Sequence, residues 1–200
     1  MNIDDFGIDD EDIQATIKRG EKMKVIKTKV YEFKELSKEA KEKAINWYRE
    51  SVSELDNQIF VDDFSEDIRN IFEENCFKNV KVEEWDLSCY KSYPYINVKS
   101  ASIEIDKFIK PSQSWIKDSD IDFSLSNNEI EVYKENDNFS KRAEAIIECL
   151  KENIQAKFNE VKGNLIKNGL ANLEYMDKDS TIIENIEANE YTFLENGKRF

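Results

Sequence analysis

The spacing of apolar residues changes along this chain between two patterns, and those patterns limit the folds it can adopt. Between residues 79 and 134, four segments place apolar side chains at every second position, which is typical of β-strands with one buried face. On either side of them, apolar residues recur every three or four positions, which is typical of helices that pack on a core. The sequence therefore predicts an α+β fold.

A first strand and two helices are predicted before these four strands. The run MKVIKTKVYEF from Met23 to Phe33 is rich in β-branched and aromatic residues, which favours a strand. Ser37 can then accept a hydrogen bond from an orphan amide at the start of a helix, and Glu39 favours the same helix end. The apolar side of this helix carries Ala40, Ala44, Trp47 and Tyr48. A second helix is predicted from about Ile59 to Asn75, and its apolar stripe consists of Phe60, Phe64, Ile68, Ile71 and Phe72.

The four later strands are predicted to form antiparallel hairpins. The Ser-Asn-Asn sequence at 126–128 provides a tight turn between the last two, because Asn tolerates left-handed backbone geometry. From about Ser140 to Met176 an apolar stripe predicts either one long bent helix or two joined helices, since Gly163 and Gly169 weaken it. A short helix capped by Ser180 and a last strand or hairpin follow.

The whole pattern predicts an antiparallel sheet of about five strands, with two helices after the first strand and a long C-terminal helix packed on one face. A chain of 200 residues with 40% apolar content is long enough for one sizeable core. Residues 1–22 contain many acids and little apolar material, so they are predicted to form an acidic arm. Residues 23–200 are predicted to form a single α+β domain.

The charge of the chain is strongly negative. It contains 43 Asp and Glu against 29 Lys and Arg and no histidine, which gives a formal net charge of -14. Contact with phosphate backbones or anionic lipid is therefore unfavourable, and basic partners are favoured. The missing histidine removes the usual general base, the commonest zinc ligand and the ordinary forms of the catalytic triad. We expect no direct nucleic-acid ligand and no membrane association.

No catalytic, metal or cofactor site is predicted. The chain has neither the D-x-D-x-D-G pattern of a calcium loop nor a phosphate-binding loop, and its many carboxylates make no pair informative. Cys76, Cys89 and Cys149 are odd in number and far apart, which fits reduced thiols in a cytosol. The N-terminus lacks the features of a signal peptide, and no apolar run approaches membrane-spanning length. We therefore expect a soluble protein in the cytoplasm of a bacterial host.

The second predicted helix carries the main candidate binding residues. They are all acidic, namely Asp62, Asp63, Glu66, Asp67, Glu73 and Glu74. Asp62, Glu66 and Glu73 lie nearly opposite the apolar stripe, and residues four apart rise ~6 Å along a helix, a spacing comparable to that of nucleic-acid charges. This row could occupy a basic groove in a partner. Alternatively, it is simply a solvated face, which is what charge runs on helices usually are.

A group of tyrosines provides the second set of candidates. Tyr90, Tyr93 and Tyr95 cluster with Lys91 in the segment CYKSYPYINV. Tyrosines near a loop often anchor protein interfaces. The alternative is ordinary packing on the face of a strand.

Two stretches of the chain resemble a family of short proteins encoded by bacteriophages and prophages. The first is VYEFKELSKEAKEKAINWYRE and the second is IEANEYTFLENGKRF. The matching residues are Tyr31, Phe33, Glu35, Leu36, Ser37, Glu39–Lys41, Lys43–Ile45, Ile186, Ala188–Tyr191, Phe193 and Gly197. The run WDLSCY at 85–90 stands where such proteins carry another aromatic strand, but KSYPY replaces the Gly/Asp-rich loop expected after it. Some members are labelled antitoxins, so the resemblance implies association with a protein and no catalytic residue.

Three functions remain open from the sequence. The first is a phage-type inhibitor that blocks a bacterial defence or nucleic-acid-handling protein, of the anti-CRISPR or anti-restriction kind, by placing its acids in a basic groove. The second is an antitoxin-like or regulatory module that binds through apolar and tyrosine contacts. The third is an enzyme that works without histidine. The first predicts binding that weakens steeply with salt, and the second predicts binding that does not.

Overall fold

The computed structural model describes residues 27–88, 93–135 and 138–200, without the side chains of residues 54–57. Its regular elements are β1 (Tyr31–Glu32), α1 (Lys38–Ser51), α2 (Ser53–Glu74), β2 (Phe77–Asp86), β3 (Tyr95–Ile103), β4 (Ile121–Ser126), β5 (Glu129–Lys134), α3 (Lys141–Met176), α4 (Asp179–Ala188) and β6 (Thr192–Phe193). Short 3-10 helices span Phe33–Glu35, Ile105–Lys107 and Pro111–Ile116. All strand pairs are antiparallel, so the predicted α+β fold class is confirmed. The predicted acidic arm lies outside the described residues.

The larger sheet contains four strands in the order β2-β3-β4-β5. The predicted hairpin between β4 and β5 is confirmed, because Asn127 and Asn128 adopt positive φ angles of 50° and 68° at the turn. The Asn128 side chain also accepts from the backbone N–H of Val98 at 2.9 Å, which ties the turn to β3. The four strands of the larger sheet, α2 and α3 together enclose one cluster of buried side chains, which we call the main core.

Helix α3 is one continuous helix of 36 residues, which resolves the two alternatives that the sequence left open. Ser140 caps its start by accepting from the backbone N–H of Ala143 at 3.2 Å. Gly169 allows close packing, because a Cβ there would lie 2.5 Å from Leu87 Cδ1 and 2.8 Å from the ring of Phe64. Gly169 weakens the helix locally, yet it is needed where α3 packs against α2 and against Leu87, the residue after β2.

The first strand does not join the larger sheet, which corrects the predicted sheet of about five strands. Only Tyr31 and Glu32 form β1, and they pair with Phe193 and Thr192 of β6 in a separate two-stranded sheet. The chain leaves the extended conformation at Phe33, where a 3-10 helix begins. Predicted strand residues before position 27 lie outside the described part.

The two-stranded sheet, α1 and α4 enclose a second core. Its buried residues are Phe33, Leu36, Ala40, Ala44, Ile45, Tyr48, Ile182, Ile186 and Phe193. Ser37 caps α1 as predicted, since its Oγ accepts from the backbone N–H of Ala40 at 3.3 Å. The predicted cap at Ser180 is wrong, because α4 begins at Asp179 and places Ser180 within its first turn. Helix α2 likewise begins at Ser53, earlier than the predicted start at Ile59.

Candidate interaction surface

Helix α2 directs one side into the main core and presents the opposite side to solvent. Phe64, Ile68 and Phe72 are buried in the main core. Successive residues of a helix rotate by about 100°, so residues on the side away from this stripe face outward. The acidic residues predicted from the sequence are all exposed, and we call them the acidic surface: Asp62, Asp63, Glu66, Asp67, Glu73 and Glu74.

The acidic surface consists of two rows along α2. The first row, nearly opposite the buried stripe, is Asp62, Glu66 and Glu73. The second row, displaced by about 100° around the helix, is Asp63, Asp67 and Glu74. Each member of the first row is followed directly by a member of the second. The helix therefore presents a broad band of negative charge, which exposed Arg69 interrupts on the side of the first row between Glu66 and Glu73.

The carboxylates of the acidic surface lie apart from the ion pairs of the described residues. None of them forms an ion pair with a cation in the described ranges of the chain. Lys78 lies nearby, but its Nζ donates to the backbone oxygen of Glu73 at 2.7 Å and pairs with Glu104 at 3.7 Å. Asp62 accepts a long hydrogen bond from Gln58 Nε2 at 3.3 Å. The negative charge of this surface is thus available to a partner or to solvent ions.

A groove of about 700 Å³ borders the acidic surface between α2 and β2. Consecutive residues from Val80 to Asp86 line it, so β2, an outer strand of the sheet, presents its edge there. The indole Nε1 of Trp85 donates to Ser65 Oγ at 3.2 Å, and its ring meets Phe64 edge-on at 4.9 Å. The charged residues that line the groove are Arg69, Lys81, Glu83, Glu84 and Asp86. The groove therefore combines charges of both signs.

A smaller pocket of about 330 Å³ lies on the other side of the acidic surface, where α2 meets α3 and α4. Its lining includes Ile59, Phe60, Asp63, Asn172, Tyr175 and Asn185. Ile59 is 52% exposed and Tyr175 is 54% exposed, which is unusual for a pair of large apolar side chains beside one concavity. We call this the α2–α3–α4 pocket.

Two of the three tyrosine candidates, Tyr93 and Tyr95, lie at the start of β3. Tyr93 is 93% exposed, whereas Tyr95 is partly buried and pairs with Asp86 across the β2–β3 ladder. Desolvation, followed by the negative charges of Glu84 and Asp86, raises the pKa of Tyr95 above its ordinary value. Tyr90 lies outside the described residues. The structure thus places Tyr95 opposite Asp86, which lines the α2–β2 groove, and leaves Tyr93 exposed just before β3.

Sequence reasoning did not identify the apolar residues beside the acidic surface as candidates. Val61 is 39% exposed in the groove, and the exposed Ile59 and Tyr175 line the pocket. The available signal for Ile59 and Tyr175 was their position outside the apolar stripes of α2 and α3, whereas Val61 lies within the stripe of α2 and gave no such signal. It was weak, since single exposed apolar residues are common on protein surfaces.

The described ranges contain neither a candidate metal site nor a candidate membrane-spanning helix. No group of three or more Cys, Asp or Glu side chains there is arranged to hold a metal ion. No helix in the same ranges has both the length and the apolar content needed to cross a membrane.

Comparison with known protein families, with curated proteins and with solved structures found no match for this chain. The resemblance to phage-encoded proteins remains a prediction. The two stretches that carry it meet in the second core, where Tyr31 pairs with Phe193. Gly197 lies so close to α1 that a Cβ there would be 2.2 Å from the carbonyl oxygen of Ala40. Packing therefore accounts for the buried residues of these stretches and for Gly197, and not for their exposed charged residues.

Proposed function

We propose that this protein is a phage-type inhibitor that binds and blocks a basic bacterial protein, either a defence protein or one that handles nucleic acid. Its action would be stoichiometric binding without turnover, of the anti-CRISPR or anti-restriction kind. The observation that carries this proposal is the band of exposed carboxylates on α2 that have no ion-pair partner in the described residues.

The spacing of the acids on a rigid helix supports this proposal. Within each acidic row the first two side chains are four residues apart and rise ~6 Å along α2, which is comparable to the distance between charges along a nucleic-acid strand, and the third follows ~10 Å further on. A groove that binds a phosphate backbone through Lys and Arg could therefore accept α2 in its place. The formal net charge of -14 would also speed association with such a partner at low salt.

Charge reversal of the first acidic row provides the test. The variant Asp62→Lys, Glu66→Lys, Glu73→Lys is compared with wild type as an inhibitor of nucleic-acid binding by purified CRISPR and restriction nucleases. We expect wild type to inhibit at least one nuclease and the variant to lose about 100-fold or more in affinity, because attraction becomes repulsion at the interface. Inhibition by wild type should also weaken steeply with salt.

Helix α3 offers a matched control for this experiment. Glu144, Glu148 and Glu152 are exposed at helical spacing and form no ion pair in the described ranges, so their reversal changes net charge by the same amount. The control variant should keep most of the inhibition. Equal losses in the two variants would mean that net charge alone matters, and unchanged inhibition in the α2 variant would contradict the proposed binding surface.

The antitoxin-like alternative is favoured by one observation, the near-complete exposure of Tyr93. A tyrosine presented in this way could anchor an interface with a folded protein. Binding by that mode would change little with salt, and it would be lost with Tyr93→Ala and kept after the α2 charge reversal. The same binding assay therefore separates the two functions.

A further inference from the structure

We infer that the α2–α3–α4 pocket accepts an apolar side chain from a cationic segment of the partner, so that the protein recognises a basic stretch with an apolar anchor. This inference rests on the proposed function and deepens it. The acidic surface would supply attraction without fixing a register, and the pocket would supply the contact that selects one segment.

The exposure of the pocket residues is the first support. Ile59 projects from α2 and Tyr175 from α3, and each leaves more than half of its surface open beside the concavity. The walls also provide Asn172 and Asn185, whose amides can bond to the backbone of an inserted segment. A volume of about 330 Å³ is enough for one large side chain and its neighbours. An apolar centre with a polar border is the usual anatomy of a strong contact point in an interface.

The charges around the pocket identify the occupant. Asp63 is the charged residue in the pocket lining, and it belongs to the second acidic row. No cationic side chain in the described residues lines this pocket, whereas Arg69 and Lys81 both line the α2–β2 groove. A segment with Lys or Arg on either side of an apolar residue would therefore meet attraction here and a mixture of attraction and repulsion in the groove. This contrast assigns the apolar anchor to the pocket.

Two synthetic peptides of equal charge provide the test. Both are twelve-residue Lys/Arg-rich peptides, one with two central leucines and the other with alanines at the same positions, and affinity is measured by calorimetry at low and moderate salt. We expect the leucine peptide to bind wild type about 10- to 100-fold more tightly, because burial of apolar area adds to the charge attraction. Both affinities should fall in parallel as salt increases.

Variants of the protein locate the anchor. Ile59→Ala and Tyr175→Ala should each reduce the preference for leucine about 5- to 10-fold and leave binding of the alanine peptide unchanged. Both side chains are mostly exposed, so the fold should tolerate these changes. Tyr133→Ala on β5 removes another exposed tyrosine, 67% exposed, and should leave the preference intact.

The outcomes separate this inference from the proposed function. Equal affinity of the two peptides, with binding still dependent on salt and on the first acidic row, would overturn the pocket and leave the acidic surface standing. A leucine preference that survives both pocket variants would also overturn it, because the anchor would then lie elsewhere. Failure of both peptides to bind at low salt would contradict the acidic surface itself.

Discussion

The main core and the second core of this protein are assembled from contacts of very different reach along the chain. In the main core, the sheet and the two helices that cover it follow one another in sequence, from α2 through β5 to α3. In the second core, Phe33 and α1 meet Ile182, Ile186 and Phe193 from the other end of the chain. The second core therefore requires closure of a loop that contains almost the whole main core, at a larger entropic cost.

Because of this difference, we expect the two cores to unfold in separate steps. Regions that depend on long-range closure, with few buried side chains of their own, tend to unfold at lower free energy than the central core. The acidic surface lies on a helix of the main core, whereas the stretches that resemble phage proteins meet in the second core. The proposed binding surface should thus persist even when the second core opens.

The largest expected effect is in the main core. Phe158 is fully buried, stacks on Phe72 at 5.2 Å and meets Phe77 edge-on at 5.6 Å between ring centroids. Phe158→Ala should lower the free energy of unfolding by about 3–5 kcal/mol, because it removes these contacts and leaves a cavity. Urea unfolding followed by circular dichroism measures the change.

Phe193→Ala is the matched substitution in the second core, where Phe193 is also fully buried. Hydrogen exchange should then accelerate in α1 and α4 and remain slow in the centre of α3. If Phe193→Ala instead accelerated exchange equally in all helices, the two cores would form one cooperative unit and the comparison would fail.

A glycine substitution should produce an intermediate effect. Gly197 has a φ of 84°, and a Cβ there would lie 2.2 Å from the carbonyl oxygen of Ala40. Gly197→Ala should destabilise the second core by about 1–3 kcal/mol, because both the backbone and the contact with α1 become strained. Hydrogen exchange of α1 measures this effect.

Gly163→Ala is the control for that change. A Cβ at Gly163 has nothing within 4 Å, so alanine should stabilise α3 by about 0.5–1 kcal/mol. If Gly197→Ala left exchange in α1 as slow as in wild type, the close approach of the chain end to α1 would not limit the stability of the second core.

The smallest effect is expected where the two cores join. Arg49 of α1 donates to Asp177 Oδ1 at 3.3 Å and to Asp179 Oδ1 at 2.6 Å, at the corner between α3 and α4. The hydrogen bond that Arg49 donates to Asp179 is the main cause that raises the pKa of Arg49 above its ordinary value. Arg49→Gln should cost about 0.5–1 kcal/mol, and less at high salt, because the pair is partly exposed.

Arg49→Lys tests the geometry of this link. Lysine keeps the charge and loses the planar fork that reaches Asp177 and Asp179 together. We expect thermal unfolding in low salt to place the lysine variant between wild type and Arg49→Gln. Full recovery by lysine would show that charge alone joins the cores at this corner.

The fold was predictable where neighbouring residues decide it. The Asn127–Asn128 turn, the cap at Ser37 and the apolar stripes of α2 and α3 all depend on local patterns, and the structure confirms them. The pairing of Tyr31 with Phe193 has no local signature, because a strand of two residues contains too few side chains to show alternation. The separate sheet was missed for that reason.

For the candidate surface, too, the features set by local sequence were predictable and those set by contacts between distant elements were not. Exposure of the acids on α2 could be predicted from their place on the helix, because helical rotation fixes which side faces away from the core. The α2–β2 groove and the α2–α3–α4 pocket could not be predicted, since each is formed by residues from different elements. Ile59 and Tyr175 can be recognised as lining one pocket only after α2 and α3 have been placed side by side.

The pairing of β1 with β6 has a consequence for rearranging the gene. Because these strands lie side by side, a circular permutant could be made by omitting residues 1–26, joining Phe200 to Lys27 with a short linker and opening the chain at the Asn127–Asn128 turn. In that permutant, β6 and β1 would be near neighbours in sequence, like the arms of a hairpin. The second core could then assemble early instead of waiting for the sheet, so that the order in which the two cores form would be set by connectivity alone.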